Sequence, residues 1–558
     1  MSYINFVGEK STLDATFQYQ YNVLALKKRD VSFLINVCIT LLVEYNLSSL
    51  VHITMSNFEG YLFLILICLI STIFILKLFK STRAKSNLPP SPFRLPIIGH
   101  LHLLTPLPHQ AFHRLSLRYG PIFQLFMGSE PCVVACSPET AVELLKTSLD
   151  RPQNIAVTHI TYGLKDFAFA PYGTHWKSMK KIVMSQLLNG KAIDLLQPDR
   201  RDEITRFLKT LSEKASVGKA VNLEAELVKV TNNLITRITL GQRCSENAGE
   251  AEDIRKLIYE ITEVIGIFNL SDSIRLLKRL DLQGLLKRAK DIHRRYDALI
   301  EKIMKEHEEA RKKGTQCEGK DLLNLLLDMV EEESMVIDLT RENIKAFILN
   351  IFVAGTDNSA ITTEWALSEL INHPKVMKKA IEELDHVVGK NRLLQESDIP
   401  NLPYLQAIIK ETLRLHPPVP MIPRRSIEDG TVAGYNIQAN TTVFINVWAV
   451  GRDPNYWESP LEFRPERFQE NWLDVRGQHS EFLPFGSGGR MCPGTSLGWK
   501  MVHATFGAML QCFEWKAGKY GNLPRVDMDE GIGLSNPRAN RLVCVPVARL
   551  DPTLLLTS

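Results

Sequence analysis

The sequence predicts a mainly α-helical protein with small β-sheets, carried on one N-terminal transmembrane helix. Apolar residues recur with helical periodicity over most of the chain beyond residue 100, and strand-like runs are few. The clearest helical patterns lie at 286–313, 341–372, 374–388 and 403–415. The strand-like runs lie at 121–126, 131–136, 431–437, 442–447 and 541–547. An uncharged run of 17 residues, 60–76, precedes them all and predicts the transmembrane helix.

The composition excludes several classes of protein. Of the 558 residues, 45% are hydrophobic and 23% are charged, which is close to the globular average and excludes a wholly disordered chain. Lys and Arg number 66 and Asp and Glu 62, so the net charge is only +4. Nucleic-acid binding needs a basic stripe, and we therefore expect no nucleic-acid partner. Nine cysteines without a paired C-x-x-C favour reduced thiols over a disulfide framework.

The uncharged run at 60–76 is at the short end of the roughly 17–25 residues that a helix needs to cross a bilayer. Glu59 precedes it, and four basic residues follow it within 77–85. The basic side of a membrane span faces the cytosol, so we expect the rest of the chain on that side. A buried core helix is the alternative interpretation. We assign 55–80 to a transmembrane anchor.

The segments that flank the anchor have different compositions. Residues 1–54 contain KKRD followed by 13 apolar residues at 31–43, a pattern similar to a signal peptide but too short to span a bilayer. We expect 1–54 to be an upstream extension, with the functional chain beginning at Met55. Residues 81–99 are basic and then rich in proline, which forbids helix and indicates a semi-rigid hinge. No linker divides 100–558, which we interpret as one large α-rich domain.

The strongest local signal is the segment FLPFGSGGRMCPGTSLGWKM at 482–501. Three glycines precede Cys492 and Pro493-Gly494 follows it, so the backbone can approach a ligand closely. A helical run begins at about 496, which places Cys492 near a helix N-terminus, where amide N–H groups and the helix dipole favour a thiolate. A thiolate in such a loop is a metal ligand or a nucleophile. We interpret the other eight cysteines as small buried hydrophobic residues.

Two further side chains of this loop point to the kind of ligand. The guanidinium of Arg490 suits a carboxylate, and the Phe485 ring offers a flat apolar surface. Together with the thiolate and with glycines that let the backbone come close to a ligand, these two side chains fit a planar macrocycle that carries acidic groups. Haem is such a ligand. A dinucleotide-binding G-x-G-x-x-G loop is the alternative, but it needs glycine at position 491, where Met491 stands.

The segment F-G-S-G-G-R-M-C-P-G resembles the F-x-x-G-x-R-x-C-x-G signature of the haem-thiolate monooxygenases, the cytochrome P-450 superfamily. The shared positions are Phe485, Gly488, Arg490, Cys492 and Gly494. Other motifs of the family follow in the family's order over about residues 55–550. The resemblance implies the haem-thiolate monooxygenase fold for 100–558. It also implies heme b as the cofactor, with Cys492 as the axial ligand of its iron.

The segment IKAFILNIFVAGTDNSAITTEWALSEL at 344–370 is an apolar helix interrupted by polar residues. Unpaired polar groups cost about 1–3 kcal/mol each inside a protein, so their presence needs a reason. One reason is a packing kink at Gly355. The family resemblance implies another, a groove over the haem where oxygen binds and protons arrive. It assigns catalytic roles to Gly355, Thr356, Asp357, Asn358 and Ser359.

Asn358 departs from the family pattern, which usually has threonine at this position. The threonine hydroxyl is thought to help deliver protons to the bound oxygen, whereas an amide forms hydrogen bonds but does not ionise. Three consequences are open at this point. The first is slower coupling of NADPH consumption to product formation. The second is a proton relay through the hydroxyl of Thr356 or Ser359, and the third is a reaction that needs less proton delivery.

Two more groups of residues take their roles from the resemblance. KETLRLHPPVP and FRPERF contain Glu411, Arg414 and Arg467, which match a buried Glu–Arg–Arg triad behind the haem. Helix positions i and i+3 share a face, so Glu411 and Arg414 can pair. YGTHWKSMKK resembles the W-x-x-x-R helix of the family, with lysine at the usual arginine position. The resemblance assigns contacts with the haem propionates to Trp176, Lys180 and Arg424.

The reaction that the resemblance implies is insertion of one oxygen atom from O2, with NADPH electrons delivered by a separate NADPH-cytochrome reductase. The chain has no flavin or nicotinamide fingerprint of its own, which agrees with an external donor. The expected location is the endoplasmic reticulum membrane, single-pass, with the catalytic domain facing the cytosol. Several longer segments resemble the plant flavonoid-oxidising branch of the family, which includes type II flavone synthase and 2-hydroxyisoflavanone synthase. Among them are GHLHLLTPLPHQAFHRLSLRYGPI, HITYGLKDFAFAPYGTHWK and NVWAVGRDPNYWESPLEFRPERF. We expect hydroxylation or desaturation of a small apolar or phenolic plant metabolite, a flavanone or flavonoid.

Two alternative functions are compatible with the sequence. The same fold serves reductase-independent isomerases and dehydratases that act on peroxide-like substrates, and Asn358 is compatible with that chemistry. A non-catalytic haem-binding membrane scaffold is the second alternative. Family analogy places the substrate wall near 155–165, 265–272, 350–356 and 418–422. The exact substrate and the regiochemistry depend on pocket shape, which sequence motifs do not supply.

Overall fold

A computed structural model describes residues 65, 66, 69, 87–241, 248–274, 277, 280–313, 321–331, 339–470 and 473–555. The chain divides into two compact units, Met1–Lys85 and Ser86–Ser558. The second unit contains all the described strands and all but three of the described residues.

The predicted membrane segment falls largely outside the part of the chain that the structure describes. The same is true of the whole predicted extension, 1–54. Within 60–76, only Ile65, Leu66 and Leu69 are described, and each is helical. Among the described residues, no helix is both long enough and apolar enough to cross a bilayer.

Helices dominate the second unit, and the longest has 28 residues. The helices are α1 (Pro108–Tyr119), α2 (Pro138–Thr147), α3 (Ile155–Ile160), α4 (Thr174–Ile182), α5 (Gly190–Leu195), α6 (Gln197–Ser216), α7 (Leu223–Leu240), α8 (Ala248–Gly266), α9 (Leu270–Ser273), α10 (Leu285–Lys312), α11 (Leu322–Glu331), α12 (Arg341–Thr356), α13 (Asn358–Asn372), α14 (Pro374–Val387), α15 (Pro403–Leu415), α16 (Val447–Val450), α17 (Arg467–Glu470) and α18 (Thr495–Cys512). Together with three small sheets, they confirm the predicted mainly helical class.

The strands are short and form three sheets. They are β1 (Ile122–Met127), β2 (Glu130–Ala135), β3 (Val221–Asn222), β4 (Met421–Arg425), β5 (Gly430–Val432), β6 (Tyr435–Ile437), β7 (Thr442–Asn446), β8 (Phe513–Ala517) and β9 (Val543–Ala548). The strand orders are β1-β2-β7-β4, β3-β9-β8 and β5-β6. Strands β2 and β7 pair in parallel, with Val133 opposite Val443, and the other pairs are antiparallel.

The sheets differ from the sequence prediction in two ways. The run at 431–437 is a hairpin, β5–β6, because Ala433 and Gly434 both have positive φ (48° and 80°) and turn the chain. Strands β3, β4 and β8 have no counterpart in the prediction. Strand β4 reads MIPRR, which lacks regular alternation, and β8 begins directly where α18 ends.

Local sequence explains several helix ends. Helices α1, α2, α14 and α15 each begin with proline, whose fixed φ suits the first helical position. Helix α12 begins after a capping box in which Thr340 and Asn343 each bond the other's backbone. Helix α7 ends at Gly241, which has the left-handed φ of 67°. These ends set the positions of the helices that carry the site.

Helices α12 and α13 together correspond to the predicted 341–372 helix, which breaks at Asp357. Their side chains are buried on most sides, including Phe347 and Trp365. Such an all-round apolar helix belongs in the centre of a large domain. The polar residues at 355–359 lie at the break between the two helices, where Thr356 is buried and the other four are half-buried.

Gly355 permits a close contact between α12 and α7. A Cβ atom at this position would lie 2.4 Å from Cδ1 of Ile235, well inside van der Waals contact. Any larger residue would force the Ile235 side chain of α7 to move, because packed interiors have little spare volume. The glycine therefore has a packing role in addition to the catalytic role that the family pattern implies.

Candidate active site

The Cys492 loop is a tight turn held by its own backbone. The amide of Cys492 donates to the carbonyl of Phe485 at 3.0 Å, and that of Met491 donates to Gly488 at 3.1 Å. Gly486 and Gly488 both have a φ of 73°, a conformation that favours glycine. The loop ends where α18 begins, three residues after the cysteine. The glycine-rich sequence thus presents one sulfur atom at the entrance to a long helix.

The ionisation of Cys492 is set by opposing effects. Burial raises the pKa of the Cys492 thiol, whereas the Gly494 amide, the Thr495 side chain and the Arg151 guanidinium lower it. Burial is the largest effect, so the helix N-terminus alone does not make this sulfur a thiolate. A metal cation would reverse the balance, because a coordinating thiol loses its proton. The site therefore suits a metal ligand better than a free nucleophile.

We infer a ligand-binding cleft between the Cys492 loop and α12, because both have accessible surface. The side chain of Cys492 is exposed although protein surrounds it. Ala354 is also exposed, while Phe352 and Thr356 on the same helix are buried. Gly498, at the start of α18, lies close to α13, since a Cβ there would be 4.0 Å from the Ser359 hydroxyl. The accessible surfaces of Cys492 and Ala354 mark the two sides of this inferred cleft.

The segment 167–170 closes one end of this cleft. Arg490 donates to the carbonyl oxygens of Ala168 at 3.2 Å and Ala170 at 2.5 Å. From α12, the side-chain oxygen of Asn350 accepts the amides of Phe167 at 2.9 Å and Ala168 at 2.7 Å. The same segment is therefore tied to the Cys492 loop on one side and to α12 on the other.

The groove residues predicted at 355–359 face in different directions. The Thr356 hydroxyl donates to Asn232 Oδ1 and to the Phe352 carbonyl, both at 2.7 Å, and so points toward α7. The Thr356 carbonyl accepts the Thr231 hydroxyl at 2.6 Å, which stabilises the break in the helix. The Ser359 side chain faces α18. Thr356 is thus bound to α7 and is not directed at the Cys492 loop.

The side-chain amide nitrogen of Asn358 has a hydrogen-bond partner, whereas its oxygen has none among the described residues. Its Nδ2 donates to the Ala354 carbonyl at 3.1 Å, one helical turn earlier. Its Oδ1 is buried and finds no hydrogen-bond partner among the residues that the structure describes. A buried acceptor without a partner is costly and marks a place where a ligand or water binds. Next to it, burial raises the pKa of Asp357, and the charge of Arg541 lowers it.

A cluster of basic side chains lies beside the Cys492 loop. Arg490 lies 4.6 Å from the ring of Trp176, and Arg424 donates to the Arg490 carbonyl at 3.2 Å. Lys180 donates to the Gly489 carbonyl and lies over the Trp176 ring at 5.2 Å. The structure brings the three predicted propionate contacts, from α4 and β4, together with Arg490 of the loop. Arg151, which the sequence did not single out, joins them.

The cluster carries more positive charge than its neighbours neutralise. Burial, followed by repulsion from Arg151, lowers the pKa of Arg490 to about 10 and that of Arg424 well below its usual value. Asp150, 3.9 Å from Arg490, and Asp166 oppose this charge. The buried Nε atoms of Arg151 and Arg490 and Nε1 of Trp176 have no hydrogen-bond partner among the described residues. Such a cluster fits a ligand that brings carboxylates of its own.

Arg151 is the site residue that sequence reasoning missed. It follows Asp150 and precedes Pro152 in the loop after α2, and it is half-buried, within electrostatic reach of the Cys492 sulfur and Asp166. A single arginine before a proline gives no periodic or spacing signal. Its role becomes visible only because the fold places it among Arg424 and Arg490.

Glu411, Arg414 and Arg467 form the predicted triad, with all three side chains buried. The Glu411 carboxylate accepts Arg414 Nε at 2.7 Å and Nη2 at 2.8 Å, and Arg467 Nε at 3.0 Å. Arg414 also donates to the carbonyls of Gly451 at 2.6 Å and Pro460 at 2.7 Å. The triad fastens the segment that leads from the four-stranded sheet towards the Cys492 loop.

The donor set matches the group that the resemblance implies. A single sulfur lies at the cleft, the loop backbone approaches closely, and buried cations stand ready for carboxylates. Haem needs these three things, an axial ligand, a flat cavity and partners for two propionates. In the described part of the chain, no group of three His, Cys, Asp or Glu residues could hold a different metal ion.

Comparison with known sequences agrees with this site. The family profile described as Cytochrome P450 matches residues 89–545. The chain is 51% identical over 502 residues to 3,9-dihydroxypterocarpan 6A-monooxygenase of Glycine max, covering 88% of this chain and 98% of that protein. It is 44% identical over 512 residues to beta-amyrin 24-hydroxylase of Glycine max, covering 89% and 99%. It is 43% identical over 497 residues to 2-hydroxyisoflavanone synthase of Glycyrrhiza echinata, covering 84% and 93%.

Comparison with solved structures supports the same fold. The chain superposes with a TM-score of 0.68 on a structure described as "Zebra fish cytochrome P450 another structure with Progesterone". The two sequences are 27% identical, and the match covers 79% of this chain and 100% of the other.

Proposed function

Since this chain belongs to the cytochrome P450 family and is a haem-thiolate monooxygenase that receives NADPH electrons from a separate reductase, we propose that its substrate is a flavanone or a related phenolic compound. The main support is the 51% identity to 3,9-dihydroxypterocarpan 6A-monooxygenase over 98% of that protein. The similarity to 2-hydroxyisoflavanone synthase points to the same class of compound.

In this proposal Cys492 would hold the haem iron through its sulfur. The Cys492 amide donates to the Phe485 carbonyl, and the glycines would let the loop backbone lie close to the macrocycle. The two propionates would be held by the basic cluster and its neighbouring ring, namely Arg151, Arg424, Arg490, Lys180 and Trp176. The bound haem supplies activation of O2, which amino-acid side chains alone do not provide.

The protein's own residues then position the substrate and manage water and protons. The apolar walls of α12 and the braced segment 167–170 exclude bulk water from the cleft. Asn358 holds a water or a ligand atom at its unpaired Oδ1, and Asp357 supplies an ionisable group one residue away. Among the polar residues at 355–359, Thr356 directs its hydroxyl at α7, whereas the hydroxyl of Ser359 faces α18.

We also propose the arrangement of the whole chain. Residues 55–80 anchor it in the endoplasmic reticulum membrane, 81–99 form the hinge, and 100–558 form the catalytic domain on the cytosolic side. The basic flank at 77–85 supports this orientation. Residues 1–54 are an extension that the functional protein does not need.

The test is a reconstituted reaction with the full chain, a plant NADPH-cytochrome reductase and NADPH in lipid vesicles. A flavanone, a dihydroxypterocarpan and a triterpene are supplied separately, and products are identified by mass spectrometry. The proposal expects reductase-dependent oxidation of one of the two phenolic compounds. Oxidation of the triterpene alone would contradict the substrate class. Product formation without reductase would favour the isomerase or dehydratase alternative, and haem binding without any turnover would favour the scaffold.

Replacing Asn358 with threonine is expected to improve coupling. A threonine hydroxyl exchanges a proton with neighbouring groups, which the amide of Asn358 does not. Peroxide released per NADPH consumed should therefore fall severalfold, with a matching rise in product, measured by a peroxide assay beside NADPH consumption.

The companion variant Asn358→Ala removes both hydrogen-bonding groups and should raise the peroxide fraction instead. An equal peroxide fraction in both variants and in the unaltered enzyme would remove Asn358 from the proton path.

A further inference from the structure

The chain makes a strained turn between α3 and the segment that closes the inferred cleft. Tyr162, Gly163 and Leu164 follow one another with φ of 54°, 75° and 67°. Two of the three carry side chains, and residues other than glycine rarely adopt this left-handed conformation. Such residues keep it only where their surroundings hold them, and they concentrate at ligand clamps and switch regions. The contacts that hold this turn are therefore informative about its role.

The Tyr162 side chain is held by α10 and α12 together. Its hydroxyl donates to Asp297 Oδ1 at 2.9 Å, and its ring centroid lies 4.4 Å from that of His293, also on α10. The same Asp297 oxygen accepts Lys345 Nζ of α12 at 2.6 Å. One carboxylate thus joins the turn to two helices. We call Tyr162, Asp297 and Lys345 the clasp.

Lys165, the residue after the turn, makes two further bonds with the first turn of α12. Its Nζ donates to Glu342 Oε2 at 2.5 Å, and its carbonyl accepts Asn343 Nδ2 at 3.2 Å. The segment 167–170, which closes one end of the inferred cleft, begins two residues later. The clasp and the Lys165 bonds therefore fix the chain just before it reaches the cleft.

The bonds of the clasp and the strain of the turn oppose each other. Breaking the hydrogen bond of Tyr162 would let Tyr162 and Leu164 relax to negative φ, where residues with side chains are more stable. Because the acceptor is a carboxylate, this bond is stronger than one between neutral groups. Backbone strain and a hydrogen bond to a charged group are typically similar in size. The turn thus has a fastened and a released position, and a single bond decides between them.

We propose that the clasp sets the size of the compounds that reach the Cys492 site, by holding 161–170 across the inferred cleft until a bulky compound enters. The proposal rests on the proposed function, since it takes the cleft to be the substrate site. It adds that Tyr162 and Asp297 select for size, and that compounds with several rings need the released turn. Both are positioning residues, because they act on the turn and do not touch the reacting atoms.

Tyr162→Phe removes only the hydroxyl and is expected to speed the entry of a bulky ligand. The probe is phenylimidazole, whose binding to the oxidised full-length enzyme is followed by stopped-flow absorption. Its association rate constant should rise roughly tenfold in Y162F, because a hydrogen bond to a charged group is typically worth about this factor. Carbon monoxide, which is small enough to enter without release, should bind the reduced enzyme at an unchanged rate.

Gly163→Ala tests the strain itself. A Cβ atom at Gly163 would meet no heavy atom within 4 Å, so the substitution adds no clash and acts through φ alone. Alanine at this φ of 75° disfavours the fastened turn, and phenylimidazole should bind roughly fivefold faster. The clasp keeps all its bonds in this variant, so the faster rate reports the balance between strain and bonds.

Asp297→Ala tests whether Tyr162 acts through this carboxylate. Lys345 keeps Glu301 as a partner at 2.9 Å, so its charge stays compensated. D297A should bind phenylimidazole at least as fast as Y162F, and the double variant should be no faster than D297A alone. The matched control is Tyr456→Phe, which removes the same kind of bond, to Glu139 of α2, and should change neither ligand's rate.

A second readout needs neither turnover nor a haem ligand. Hydrogen–deuterium exchange of peptides that cover 155–170 reports the opening of the turn directly. Exchange of these peptides should be faster in Y162F, D297A and G163A than in the unaltered protein, and it should be unchanged in Y456F. Peptides from the rest of the chain should exchange equally in all five proteins.

The outcomes separate the clasp from the function on which it rests. Equal phenylimidazole rates in Y162F and the unaltered enzyme, or equal exchange of 155–170, overturn the clasp. Carbon monoxide rates that rise as much as those of phenylimidazole, or faster exchange throughout the chain, indicate general loosening and also overturn it. Failure of the unaltered enzyme to bind either ligand would overturn the haem site itself, while the exchange measurement would still test the clasp.

Discussion

Replacement of Cys492 by alanine is expected to abolish the thiolate-haem spectrum and to reduce NADPH-dependent oxidation to background. The loop presents this sulfur alone at the cleft, and no second cysteine in the described residues lies nearby, because Cys132, Cys136, Cys512 and Cys544 are buried elsewhere. Without the thiolate, the iron loses its protein ligand on that side. The reduced, carbon-monoxide-bound absorption spectrum of the purified variant measures this directly.

The control for this experiment is Cys512→Ala, at the far end of the same helix. Its sulfur is buried where α18 meets β8, and burial raises the pKa of Cys512 to about 12, so it behaves as a small apolar side chain. C512A should keep the thiolate-haem spectrum. A spectrum that survives in C492A, or disappears equally in C512A, would contradict the assignment of Cys492 as the ligand.

Replacement of Glu411 by alanine is expected to destabilise the fold by about 3–5 kcal/mol, the usual cost of removing one partner from a buried ion pair. The carboxylate of Glu411 is fully buried and accepts three side-chain hydrogen bonds from Arg414 and Arg467. It also accepts the Arg464 amide at 2.8 Å. Its loss leaves two guanidinium groups uncompensated in the interior, and the segment that they fasten loses its anchor.

The measurement is urea unfolding followed by circular dichroism and by the haem spectrum. The matched control is Glu382→Ala, whose partner Lys378 lies 3.7 Å away on the exposed face of α14. Exposed pairs of this kind contribute about 0.3–0.5 kcal/mol, so E382A should unfold almost like the unaltered protein. Similar unfolding midpoints for E411A and E382A would show that the triad does not stabilise the fold.

The residues behind these two predictions differ in how far the sequence alone could identify them. The Cys492 loop was predictable because its glycines, arginine and cysteine lie within ten residues, and local backbone conformation decides how the sulfur is presented. Glu411 and Arg414 were predictable as a pair because helix geometry alone brings positions i and i+3 together. Arg467 entered only through the family resemblance, since 53 residues separate it from Arg414.

Other features depend on contacts that no local pattern encodes. Strand β4, MIPRR, exists because β7 supplies its partner along the whole strand, although its own sequence lacks alternation. Thr356 was predicted to be one of the groove residues, yet its hydroxyl is bound to Asn232 of α7. The sequence predicts that polar residues at 355–359 interrupt the 341–372 helix, but only the structure shows that the Thr231 hydroxyl of α7 bonds the backbone at this break.

The sequence by itself therefore determined the mainly helical class and the family, and it singled out Cys492 as the candidate ligand. Helical periodicity, spacing over a few residues and backbone conformation are local properties, so they can be recognised within a single segment of the sequence. The tertiary structure alone decided that Arg151 joins the basic cluster and that the Thr356 hydroxyl lies against Asn232 of α7. Charges and unpaired lone pairs act over a few ångströms in space, and the residues that share such a volume are up to several hundred positions apart in the chain.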